Sequence, residues 1–180
     1  MGKNKKAFKI GILTAIGSVA LMGAIASYTY NSLSKETKET KSVSIQENVS
    51  EENGEEVIEI KETNAEPVKD EFPSDMTEYA VQNAIHGMSH QKVKAEDKWG
   101  FIPLTAERVN RLKAVVEANE YEERGLYLDI LNRWANNDFS RVDHDHNAIW
   151  ELQNGTIGRA TGILSDEEEK EFIEEHFDIE

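Results

Sequence analysis

Apolar residues are distributed in three ways along this chain: as an uncharged run at the start, thinly among acids in a second stretch, and periodically from residue 76 onward. The periodic part predicts helices. Met76, Ala80, Val81, Ala84, Ile85 and Met88 recur at intervals of three and four, which places them on one helical face. Asp75 and Glu78 supply a capping pair at its start. The first helix is therefore expected over 76–89, with His86 and His90 on the opposite side beside Tyr79 and Asn83. Gly100 and Pro103 then argue for an irregular connection, pinned by Trp99 and Phe101.

Thr105 reads as the cap of a second helix carrying Val109, Leu112, Val115 and Val116. A third is expected over 122–136 from Leu126, Tyr127, Ile130, Leu131 and Trp134. Asp138 caps a fourth over 139–153, and the glycine-rich GTIGRATG follows as a break. Ser165 and Glu168 form a second capping pair, opening a last helix over 166–177 that packs through Phe172, Ile173, His176 and Phe177. The fold class expected is all-α, a compact bundle of about five short helices with little or no sheet. Its core centres on Trp134, Phe139, Val142, His146, Ile149 and Trp150.

The two earlier regions have different physics. Lys3, Lys5, Lys6 and Lys9 precede an uncharged run from Ile10 to Ser34, long enough in its apolar part to span a bilayer core of about 30 Å. Basic residues before the span predict a cytoplasmic N-terminus with the bulk of the chain outside. A cleavable signal peptide is the competing reading, because Ala24, Ile25 and Ala26 form an A-x-A site. Both readings export the remainder. Between Lys35 and Asp75 stand 13 acidic and 5 basic residues with Phe72 the lone aromatic. Such a composition buries too little to offset ordering entropy, so a disordered linker is expected. The domain plan is then 1–34 basic N-terminus and transmembrane anchor, 35–75 acidic linker, and 76–180 extracytoplasmic helical domain.

Composition narrows the chemistry. A net charge of -15 repels phosphate backbones, which argues against a nucleic-acid partner. With no cysteine there is no disulfide, thiolate metal site or thiol nucleophile. No nucleophile elbow of the G-x-S-x-G kind occurs, and no catalytic residue is assigned. GTIGRATG fits neither a nucleotide P-loop nor a dinucleotide fingerprint, and reads as a tight turn packed against Trp134 or Trp150.

Imidazoles with nearby carboxylates are common ligands of transition metals, and DHDHN at Asp143 to Asn147 offers both. Helical phase sets His144 and His146 about 200 degrees apart, so the two cannot share an ion from a helix. His86 and His90, at i and i+4, are the better half-site. A shared site needs Asp143, His144 or His146 to face them. The sequence prefers the plainer alternative, a buried, hydrogen-bonded His146 with His86, His90 and His144 on the surface. On that reading no cofactor is required, and a divalent metal is the alternative.

MSHQKV and KWG between Met88 and Gly100, NRW at Asn132 to Trp134, DFS, and HNAIWELQNGTIGRATGILS carry a resemblance. In these motifs the domain resembles a domain-of-unknown-function family of N-terminally membrane-anchored proteins from Bacillus-type bacteria. The resemblance covers 76–177 and implies a membrane-tethered bacterial setting, without assigning any activity. The expected function is a single-span membrane protein whose exported helical domain serves interaction or sensing through a protein partner; the alternative is a metal-binding protein or metal-dependent enzyme built on the histidines.

Overall fold

The computed structural model describes residues 42–49, 56–63 and 67–178. The expected membrane span lies outside these residues, and among those described no helix is long and apolar enough to cross a membrane. The chain is mostly helical. Strands β1 (Ser42–Val49) and β2 (Glu56–Thr63) come first, then a one-turn helix α1 (Val68–Glu71) and helix α2 (Glu78–Ser89). A two-residue strand β3 (Val93–Lys94) precedes α3 (Ala106–Ala118), α4 (Arg124–Ala135) and α5 (Val142–Leu152). Strand β4 (Gly162–Ile163) and helix α6 (Asp166–His176) complete the order.

The helices form where apolar spacing and caps coincide. Thr105 accepts from the Arg108 amide at the start of α3, and Ser165 and Glu168 form the reciprocal box that opens α6. Helix α2 departs from expectation at its first turn, where Thr77 rather than Asp75 is the cap. Glu78 is thereby released for another task. Its carboxylate accepts from the amides of Glu122 and Glu123, the two residues leading into α4, and from the Tyr127 hydroxyl within that helix. Backbone hydrogen bonds hold this carboxyl below its usual value. Helix α3 packs on α4 and α2 on α5, burying Ile85, Met88, Leu112, Tyr127, Ile130 and Trp134 in one core.

Two expectations are corrected here. The fold is not purely α, since β1 pairs with β2 and β3 with β4, both antiparallel. The linker is not wholly disordered, since β1, β2 and α1 all fall within 35–75. In register, Ile45 faces Ile60, and period-two alternation puts Val43, Ile45, Ile58 and Ile60 on one side of the hairpin. That side buries against Ile173 of α6 and Phe177 just beyond its end. Segment composition hid this because the hairpin does not need a core of its own. It borrows apolar surface from α6 and charge from the domain: Arg108 pairs with Glu62 and Glu71, and Lys92 donates to the Ile58 carbonyl. Phe72 and Val68 of the same stretch join the main core.

Candidate metal centre

The four-residue spacing of His86 and His90 places both imidazoles on one side of α2. Sequence phase leaves that side to solvent, but the 91–103 connection folds back across it. Gly87 makes this possible, because a β-carbon there would stand 2.5 Å from the Gly100 carbonyl oxygen. The Ile102 amide donates to the Gly87 carbonyl, and the Phe101 ring packs edge-on to His90 at 5.8 Å. His90 is consequently only 4% exposed and His86 half-buried. The surface placement expected for these two is thus corrected: apolar periodicity reports the helix-facing stripe, and says nothing of a loop that covers the other side.

Helix α5 supplies the third imidazole. His146 is fully buried and faces the pair on α2, with ring centroids 4.5 Å from His86 and 5.3 Å from His90. One ring nitrogen from each of His86, His90 and His146 lies within 4.8 Å of the other two. His86 Nε2 and His146 Nε2 are 3.1 Å apart.

The partners of these rings fix their protons. The Asn147 amide is clamped on Ala160, donating to its carbonyl at 3.0 Å and accepting from its N–H at 2.8 Å. Its Oδ1 is therefore an acceptor toward His146 Nδ1, 3.4 Å away. Gln153 donates through its amide nitrogen to Asn83, leaving Oε1 to accept from His86 Nδ1 at 2.6 Å. With Nδ1 as the donor in both rings, the Nε2 lone pairs of His86 and His146 face each other. Two lone pairs at this separation repel unless a cation lies between them. A proton is a poor candidate, because burial lowers the basicity of all three rings, His90 to about 3 and His146 to about 4. The imidazoles are neutral at neutral pH, the form that ligates metals. His90 Nδ1 is the single buried side-chain nitrogen or oxygen among the described residues with no hydrogen-bond partner.

His86 and His90 also line a cleft of about 400 Å³. Trp99, Tyr79 and Trp150 form aromatic parts of its wall, and Asp97 is its charged residue. The glycine-rich loop closes one side. Gly155 lies against the Trp150 indole, where a β-carbon would approach to 2.3 Å, and Gly158 against the Asp97 carbonyl at 2.4 Å. Trp150, expected in the core, is only partly buried and donates to the Ile157 carbonyl.

The remaining sequence candidates separate cleanly. His144 is exposed on the far side of α5, and neither it nor Asp143 joins the three imidazoles. Asp145 belongs to a different cluster, accepting from Arg133 and from Trp134 Nε1. Trp134, Val142 and Ile149 are buried, with Phe139 packed at the core's edge. Sequence reasoning missed Gln153 and Asn147 as orienting partners. An amide seven residues after His146 is two helical turns away, and that spacing was the available signal.

No curated protein and no solved structure matches the chain. Residues 85–174, which hold all three converging histidines, the amides that orient them and most of the cleft, match the family of unknown function DUF6241, and the chain belongs to that family.

Proposed function

We propose that this protein binds a divalent transition metal of the zinc class through His86, His90 and His146. The observation that supports it most is the convergence of three neutral imidazoles, two buried and one half-buried, with the Nε2 atoms of His86 and His146 3.1 Å apart. At about 2.0 Å from zinc, tetrahedral ligand atoms stand about 3.3 Å apart, and the 3.1 Å between the Nε2 atoms of His86 and His146 matches that spacing. An all-imidazole set suits zinc, copper, nickel or iron, whereas calcium and magnesium require oxygen ligands. Gln153 and Asn147 act as the outer partners that hold ligating rings in the correct tautomer.

The wider setting of this reading is an exported interaction or sensing module, tethered to the membrane by residues 1–34, with metal occupancy as the quantity sensed. The basic N-terminus ahead of the uncharged run supports that topology. Metal content and thermal unfolding of the purified full-length chain, with and without chelator, test the metal. About one zinc per chain, lost together with stability in chelator, is expected. A chain that takes up no zinc and whose unfolding temperature ignores added metal sinks the proposal.

A further inference from the structure

The three histidines approach the metal position from two helices, and among the described residues no fourth His, Cys, Asp or Glu joins them. Zinc sites closed by four protein ligands are structural, while those with three keep a position for an exchangeable ligand. His146 is enclosed, whereas His86 and His90 both border the cleft. The side of the ion without protein ligands is therefore the cleft side.

Its walls describe what fits. A volume of about 400 Å³ falls in the range of small-molecule sites. Tyr79 and Trp99 are each 65% exposed, and Ile157 of the glycine-rich loop also stands out from the surface. Single exposed apolar side chains are ordinary, but three lining one cleft together with Trp150 make a wall for a flat apolar body. Asp97 is the charged group in that wall, and no Lys or Arg lines it. A doubly charged ion with one carboxylate in the wall leaves room for one negative charge on the ligand, and the Lys98 ammonium, which bears on His90 and His146, is engaged by the His90 and Val93 carbonyls.

We infer that this cleft is the ligand pocket of the metal, taking a small neutral or monoanionic molecule that donates oxygen or nitrogen to the ion and lays a planar apolar body against Trp99 and Tyr79. This inference rests on the metal reading above. Phosphorylated and other polyanionic ligands are disfavoured by a wall that carries an acid and no base.

The test uses the full-length chain loaded with Co2+, whose visible absorption reports metal binding and ligand exchange separately. Benzohydroxamate, acetohydroxamate and inorganic phosphate are titrated in turn. Both hydroxamates are expected to change the cobalt spectrum, with benzohydroxamate about tenfold tighter because its ring meets the aromatic wall. Phosphate is expected to leave the spectrum unchanged. Trp99→Ala, at an exposed position, should bring benzohydroxamate down to the affinity of acetohydroxamate while the affinity for Co2+ stays the same. Cobalt that binds but responds to neither hydroxamate overturns the inference and leaves the metal site standing. Equal binding of the two hydroxamates in both wild type and Trp99→Ala removes the aromatic wall from the argument and overturns it too, as does tight phosphate binding. Failure of Co2+ to bind overturns both proposals.

Discussion

Asp145 and His146 are neighbours on α5, yet they face two buried polar clusters of opposite character. On the Asp145 side every group has a partner: Arg133 grips the carboxylate at 2.7 and 3.0 Å, Trp134 Nε1 adds a third donor at 3.1 Å, and Asp129 takes the outer edge of the guanidinium. The pair lifts Arg133 further into its charged form. On the His146 side the rings are held from behind by amides, while their front nitrogens face one another without a donor between them. Charge in the first cluster is complete within the protein. On the proposed metal reading the positive charge of the second comes from outside, which would be the difference between a polar network that fixes a fold and one that waits for a ligand.

Breaking the complete cluster should produce the largest effect. Asp145→Ala leaves Arg133 with the exposed Asp129 as its remaining acid and the Trp134 N–H without its acceptor, a loss toward the lower end of about 3–5 kcal/mol. Chemical denaturation of the metal-free chain measures it, and a loss under 1 kcal/mol means the network was not holding the fold. Filling the incomplete cluster comes next. Zinc at a hundred times its dissociation constant should add about 2.7 kcal/mol to wild type; calorimetry with and without chelator reads this.

The sharpest contrast is one of sign. His90→Leu removes a buried nitrogen that has no partner, and should stabilise the metal-free chain by about 1–3 kcal/mol while abolishing the response to zinc. If the metal-free variant is instead less stable by as much, His90 is an ordinary core residue and the comparison fails. Gln153→Leu should leave folding nearly intact and weaken zinc binding by about 10–100-fold, through loss of the ring's orientation. Isothermal titration separates the two outcomes.

A third cluster gives the smallest effect. Glu78 is satisfied like Asp145 but lies near the surface, and its carboxyl is lowered from 4.5 mainly by the Glu123 amide. A depressed carboxyl gives stability that is present above its unfolded value near 4.5 and lost as pH falls through the folded one. Glu78→Gln should lower stability slightly at neutral pH, where the carboxylate contributes in full, and flatten the acid limb below about pH 4.5, where wild type loses that contribution. An acid limb identical to wild type removes Glu78 from the account.

Helix starts were legible in the chain at Thr105 and Ser165, where a hydroxyl cap precedes an apolar stripe, but not at Thr77, where Asp75 offered a competing cap. The i, i+4 spacing of His86 and His90 was legible too. What covers them was not, because it depends on two backbones meeting at Gly87 and Gly100, and no side-chain periodicity encodes that contact. The hairpin escaped for a related reason. Val43, Ile45, Ile58 and Ile60 are too thinly spread to register as a core, and become one only when β1 and β2 pair and α6 supplies the other half.

The register of that hairpin has a mechanical consequence. Ser42 is paired with Thr63, so the strand end where the chain enters lies beside the strand end that leads into the helices. A pull applied at Ser42 against the helices would therefore load the ladder one rung at a time rather than all rungs in parallel. Peeling begins at Ser42 and Val43, where the Val43 amide is bonded to the Asp178 carbonyl, and runs toward the Ile45 and Ile60 pair. At about 3.4 Å per extended residue, unzipping from Ser42 to Thr63 frees on the order of 70 Å of reach.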